Sequence, residues 1–158
     1  MRPLLSKVKY LRGRKVLAVM LCILFVCAVV FFFAVKVVGR QSETTLRVNG
    51  RTFSLEVAGT PAAQELGLGK RASLPKNQGM LFVFSRPAVE CFWMKDMHFP
   101  LDMIWLDANK TVVHVEQNVS PATYPSTFCP AATSEYVIEL NAGSSRSAGI
   151  RDGEILRF

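Results

Sequence analysis

Histidine is scarce in this chain of 158 residues: His98 and His114 are the only two. There is no Cys-x-x-Cys either, so the common zinc spacings are missing, and neither a metal nor any other cofactor is expected. No Gly-x-Ser-x-Gly elbow links serine, histidine and aspartate into a triad. Gly67, Gly69 and Lys70 do not form a phosphate loop. The earlier glycine of that motif would fall at Gln64, and Arg71 stands where Ser or Thr is required. Internal repeats and low-complexity segments are also lacking. Acid is absent from the first 15 residues, where Arg2, Lys7, Lys9, Arg12, Arg14 and Lys15 give a charge of +6. The whole chain is +7, so +7 less +6 leaves +1 for residues 16–158. The basic excess belongs to a tail and not to a folded surface, which argues against a nucleic-acid-binding domain.

The adjoining apolar run explains the tail. Val16 to Val35 carries no charge, and Lys15 and Lys36 close its ends. About 20 apolar residues at ~1.5 Å each match the ~30 Å hydrocarbon core of a bilayer. Basic flanks stay on the cytoplasmic side. The reading is a basic cytoplasmic tail (1–15), a transmembrane helix (16–38), a linker (39–45) and a β domain (46–158). This is a single-pass cell-membrane protein with its C-terminal domain extracytoplasmic. The bilayer is then the partner of residues 16–38. A cleaved signal peptide would need a core of about 7–15 residues and a small-residue cleavage site, and FAVKVVGR offers no clear one.

Residues 46–158 suffice for one small domain. Asn49-Gly50 between two β-type runs signals a hairpin. Thr60 and Pro61 open a short helix that ends near Gly67 or Gly69. Strand composition recurs at 80–84, 91–96, 101–106, 111–117 and 136–140, with a helical turn within 141–149 and a last strand at 154–158. The fold class is mainly β: a sandwich or distorted barrel with one or two short helices, preceded by the membrane helix. Of four cysteines, Cys22 and Cys27 fall in the apolar span. Cys91 and Cys129 fall in the domain and suggest one disulfide in an oxidising space.

If 97–100 is a hairpin loop, Lys95 faces Asp102 and Trp93 faces Ile104. This register predicts a Lys95–Asp102 ion pair at the core rim. The other face would carry Phe92, Met94, Met103 and Trp105, either beneath a covering layer or as an apolar binding surface. Asp102 and Glu139 each sit among apolar neighbours, where carboxyl pKa values rise. With Arg71, Lys95 and His98 they make up the candidate polar site. Arg71 can fork onto a carboxylate of the protein or of a ligand.

The motifs ELGLGKRASL (65–74), GMLFVF (79–84), FWMKDMHFPLDMIWLD (92–107), VIELNAG (137–143) and GIRDGEIL (149–156) resemble the DUF192 family, also called UPF0127, across 46–158. Gly69 and Lys70 depart from the family habit of Met followed by an aromatic or basic residue, while the Arg71 position is kept. The resemblance implies a compact, mainly β fold and frequent export. It implies no catalytic residues. The expected function is that of an anchored binding or accessory module for an envelope protein or small-molecule ligand. The alternative is a small hydrolase or lyase using Asp102 or Glu139 with Lys95, Arg71 or His98.

Overall fold

The computed structural model describes residues 20–30 and 42–158. The expected tail 1–15, and the expected membrane span and linker apart from residues 20–30 and 42–45, lie outside the described residues. Residues 20–30 form a helix, α1, exposed along its length and carrying the free Cys22 and Cys27. Among the described residues no helix is long and apolar enough to cross a membrane. The chain divides into two units, Met1–Arg40 and Gln41–Phe158.

The second unit begins with strands β1 (Glu43–Val48) and β2 (Arg51–Ala58), joined by Asn49 and Gly50. Both turn residues have positive φ, 47° and 77°. That is the mirror-image turn whose twist suits a hairpin, and the Asn-Gly pair selects it. β1 starts at Glu43, so residues 43–45, expected from sequence to be linker, belong to the sheet. Helix α2 (Pro61–Leu66) is opened by Thr60, whose hydroxyl accepts from the Ala63 N–H, and is closed by Gly67 at φ 51°. It carries the chain across to β3 (Gln78–Ala88), which runs parallel to β2.

The remaining elements are β4 (Phe92–Trp93), β5 (Leu101–Leu106), β6 (Val112–Val119), a 3₁₀ turn at Pro121–Thr123, β7 (Thr127–Phe128), β8 (Ser134–Asn141) and α3 (Ser144–Ala148). Six strands form one sheet in the order β1-β2-β3-β8-β5-β6, and β4 pairs only with β7. The segment expected as a last strand makes bridges instead. Arg157 pairs with Arg47 of β1, and Ile155 pairs with Thr111 just before β6. One short segment thus links both outer strands.

β5 explains the layering. All six of its residues are buried, as expected of a central strand covered on both faces. Ile104 and Leu106 join Leu81, Ile138, Leu140 and Leu46 in one core, sealed by α3, Ile150 and Leu156. Leu101, Met103 and Trp105 join Met80, Phe82 and Val137 in a second core, covered by Leu68, Leu74 and Met94. A single sheet therefore supports an apolar layer on each face.

This arrangement corrects the expected hairpin. The two neighbours of β5 are β6 and β8, so no edge is left for the 91–96 segment. Asp102 lies opposite Leu140, not Lys95. Met103 and Trp105 are both 0% exposed on the sheet, Met94 (1%) and the half-buried Phe92 belong to the layer that covers them, and the four form no open apolar surface. The Cys91–Cys129 disulfide forms as expected and staples the β4–β7 ribbon.

Candidate functional site

Asp102 is fully buried, and its carboxylate is saturated. Oδ1 accepts from the backbone N–H of Asn118 (2.9 Å) and Gly143 (3.0 Å). Oδ2 accepts from the N–H and hydroxyl of Ser145, at 2.8 and 2.7 Å. Asn118 and Gly143 both hold positive φ, so the carboxylate fixes an irregularity within β6 and the turn before α3, and caps α3 from another strand. This is a structural role, on the face of the sheet that carries Leu140. Lys95 is exposed and takes no part in it.

Glu139 points to the opposite face. In the sheet it lies between Met80 of β3 and Met103 of β5, both buried. It is 5% exposed, and among the described residues no protein group hydrogen-bonds its carboxyl. Burial pushes that carboxyl up to about 8, against an opposing pull from the Arg71 charge. Arg71 does not neutralise it because its fork is already engaged. Nη1 and Nη2 reach the two oxygens of Glu56 at 2.5 and 2.7 Å. These hydrogen bonds hold the Glu56 carboxyl below its usual range and keep Arg71 charged. Arg71 thus forks onto a carboxylate of the protein, Glu56, which the sequence did not single out.

Glu139 lines a cavity of about 130 Å³. Phe82 and Phe84 of β3 form one wall, α2 and its Gly67–Gly69 turn a second, and Phe92, Trp93, Lys95 and Met97 a third. Phe92 anchors the aromatic side, edge-on to Phe82 at 4.8 Å, Phe84 at 6.5 Å and Trp105 at 5.9 Å. Trp93 is exposed at the mouth, with the Lys95 ammonium 5.6 Å from its ring. Glu65 and Glu90 are two further acidic residues in the lining. The rim is held by backbone. The Lys70 N–H donates to the Asp96 carbonyl at 2.8 Å, and both residues have positive φ, 64° and 58°. Non-glycine residues held there are costly and concentrate at functional sites.

Of the five residues expected to make a polar site, the structure brings Glu139 and Lys95 to one cavity, with Arg71 beside Glu139. Asp102 is on the other face, and His98 is exposed in the 94–100 loop. His114 lies against Trp105, with Glu116 at 3.4 Å. Among the described residues no cluster of three or more His, Cys, Asp or Glu could hold a metal ion. Sequence reasoning missed Phe82, Phe84, Glu65, Glu90 and Met97. The one available signal was the alternation Met80, Phe82, Phe84, which puts two rings on the face carrying Glu139.

Fold and cavity together define a small, disulfide-stapled, mainly β domain with a side pocket around one partnerless carboxyl. The sequence profile of DUF192 (Uncharacterized ACR, COG1430) matches residues 44–158, and the chain belongs to that family. It is similar to a solved structure from Sinorhizobium meliloti described as a candidate transcription regulator. That structure is 30% identical, with a TM-score of 0.69, covering 74% of this chain and 94% of that one. A protein of unknown function from Novosphingobium aromaticivorans is 28% identical, with a TM-score of 0.71, covering 77% and 89%. No curated protein matches the chain.

Proposed function

We propose that this protein is a membrane-anchored, extracytoplasmic binding module whose DUF192 domain receives a ligand in the Glu139 pocket. The observation that carries the reading is the Glu139 carboxyl: buried, unpaired and facing a cavity. Burying such a group without a partner costs free energy, and a site that receives a ligand is a reason to retain it. Anchoring is supported by the +6 tail ahead of an uncharged run and by the helical residues 20–30. The Cys91–Cys129 disulfide suits an oxidising compartment. The relative described as a transcription regulator suggests nucleic acid as a partner, but residues 16–158 carry only +1 and so lack an electrostatic footprint for it.

The enzymatic alternative draws on one observation. A carboxyl that stays protonated near neutral pH can act as a general acid, and Glu139 with Lys95 would serve. Among the described residues lining the cavity there is no hydroxyl, imidazole or free thiol, since Cys91 is bound in its disulfide. Binding is therefore the better-supported reading.

The test uses the full chain in a non-ionic detergent and a library of small neutral and charged fragments, read by tryptophan fluorescence. Hits that fade in Phe84→Ala and Glu139→Gln support the pocket, and hits indifferent to both reject it. Turnover of a hit would favour the enzyme. For topology, a cysteine placed at residue 41 should react with an impermeant maleimide on intact cells. Protection of that cysteine overturns the N-in anchor.

A further inference from the structure

We infer that the Glu139 pocket binds an organic ammonium group: a positively charged amine carried on a short apolar or aromatic stem. The inference deepens the binding reading above and rests on it. Three features of the cavity agree. Acidic residues outnumber basic ones in its lining, Glu65, Glu90 and Glu139 against Lys95 alone, which disfavours an anion. Its walls are aromatic, and ring faces attract cations. Its floor is a carboxyl with no partner of its own, and a buried ammonium requires such a counter-ion.

The protein supplies its own analogue at the mouth. The Lys95 ammonium sits 5.6 Å from the Trp93 ring and lines the same cavity. An incoming amine would meet the same surface one layer deeper. Size is consistent as well. About 130 Å³ is close to the ~150 Å³ of an engineered cavity that takes benzene, so an aromatic stem of one six-membered ring fits beside its ammonium head.

The charges around Glu139 determine how binding depends on pH. From α2 comes Glu65, and from the turn after α2 comes Arg71, already paired with Glu56. Glu90 comes from the segment before β4 and Lys95 from the segment after it; the flanking Met80 and Met103 are neutral. The free carboxyl, up to about 8, is mostly protonated at neutral pH. When an ammonium enters, Glu139 releases its proton to solvent and the carboxylate accepts from the amine N–H. Affinity should therefore rise with pH, roughly tenfold per unit below about pH 8, level off above it, and fall again once the ammonium itself loses its proton.

Isothermal titration of the full chain in non-ionic detergent tests this with benzylammonium, benzyl alcohol, benzoate and an end-blocked lysine peptide. Benzylammonium should bind at least about tenfold more tightly than benzyl alcohol, with benzoate silent, and should release about one proton near pH 7. Glu139→Gln should remove that preference while its melting temperature stays at or above the parent's. Lys95→Met, at an exposed position, should tighten binding severalfold by vacating the Trp93 face. Tighter binding of the peptide than of benzylammonium assigns the ammonium to a lysine side chain, and the reverse assigns it to a free amine. Equal affinity for benzyl alcohol, or preference for benzoate, overturns the ammonium assignment and leaves the pocket standing. Silence from all four probes alongside fragment hits does the same. Silence from probes and library together removes the pocket as well.

Discussion

Asp102 and Glu139 lie on adjacent strands, one residue out of step, and both are buried. Asp102 collects four hydrogen bonds, while among the described residues Glu139 has none. The difference is one of face. The side of the sheet bearing Asp102 meets the irregular step of β6 at Asn118 and the 143–145 turn, whose N–H groups need an acceptor. The side bearing Glu139 meets side chains of phenylalanine and methionine. Burial alone therefore does not say what a carboxylate in an apolar strand is for; the backbone donors that converge on it do. One of these residues builds the fold, and the other lines its cavity.

The contrast is broken most severely at Asp102. Asp102→Ala leaves three backbone N–H groups and a hydroxyl without their acceptor, and should cost about 4 kcal/mol or more. Urea unfolding should show this as a large drop in midpoint, with disorder beginning at α3. An unchanged midpoint would refute the keystone role. Next in size is the staple beside the pocket. Replacing Cys91 and Cys129 with serine opens a loop spanning 38 residues and should cost roughly 3–4 kcal/mol. Differential scanning calorimetry measures the loss.

Glu139 should behave in the opposite manner to Asp102. Its carboxyl is up to about 8 in the folded chain and near the ordinary 4.5 when unfolded. The folded state holds the extra proton, so this group's contribution is fully present below about pH 4.5. It declines as pH rises towards about 8, by up to roughly 1.4 kcal/mol per unit. Glu139→Gln should flatten the decline and be neutral or stabilising at alkaline pH. Urea unfolding across this range decides the matter, and a parent protein without any such decline would contradict it. The smallest effect sharpens the comparison. Glu56→Gln should cost only about 1 kcal/mol, because the pair is partly exposed. By releasing the Arg71 fork it should also lower the Glu139 pKa, a shift visible in the carboxyl carbon NMR titration.

Local signals in the sequence were dependable. Asn49-Gly50, Thr60-Pro61 and the inside–outside alternation of Ile104 and Leu106 against Met103 and Trp105 all appear in the structure. The pairing of the 91–96 segment was not legible, because a tight loop and complementary charges at Lys95 and Asp102 describe a hairpin equally well. What decides against it is the burial of LDMIWL on both faces, which demands two long neighbours and reserves both edges of β5. The partner strands, β6 and β8, come from later in the chain. The pocket was half legible for the same reason. Glu139, Lys95 and Arg71 stand out one by one, but the walls are supplied by strand order, which local periodicity does not encode.

The link between Arg157 and Arg47 has a kinetic side. β1 is among the first parts of the domain to be synthesised, yet its outer edge gains this partner only when residue 157 is available. Contacts of such sequence separation form late and slowly. Until then the 43–58 hairpin presents an unpaired strand edge to whatever surrounds the nascent chain. A ribosome stalled, or a gene truncated, a few codons before residue 157 would leave almost the whole sheet encoded but one side of it adhesive.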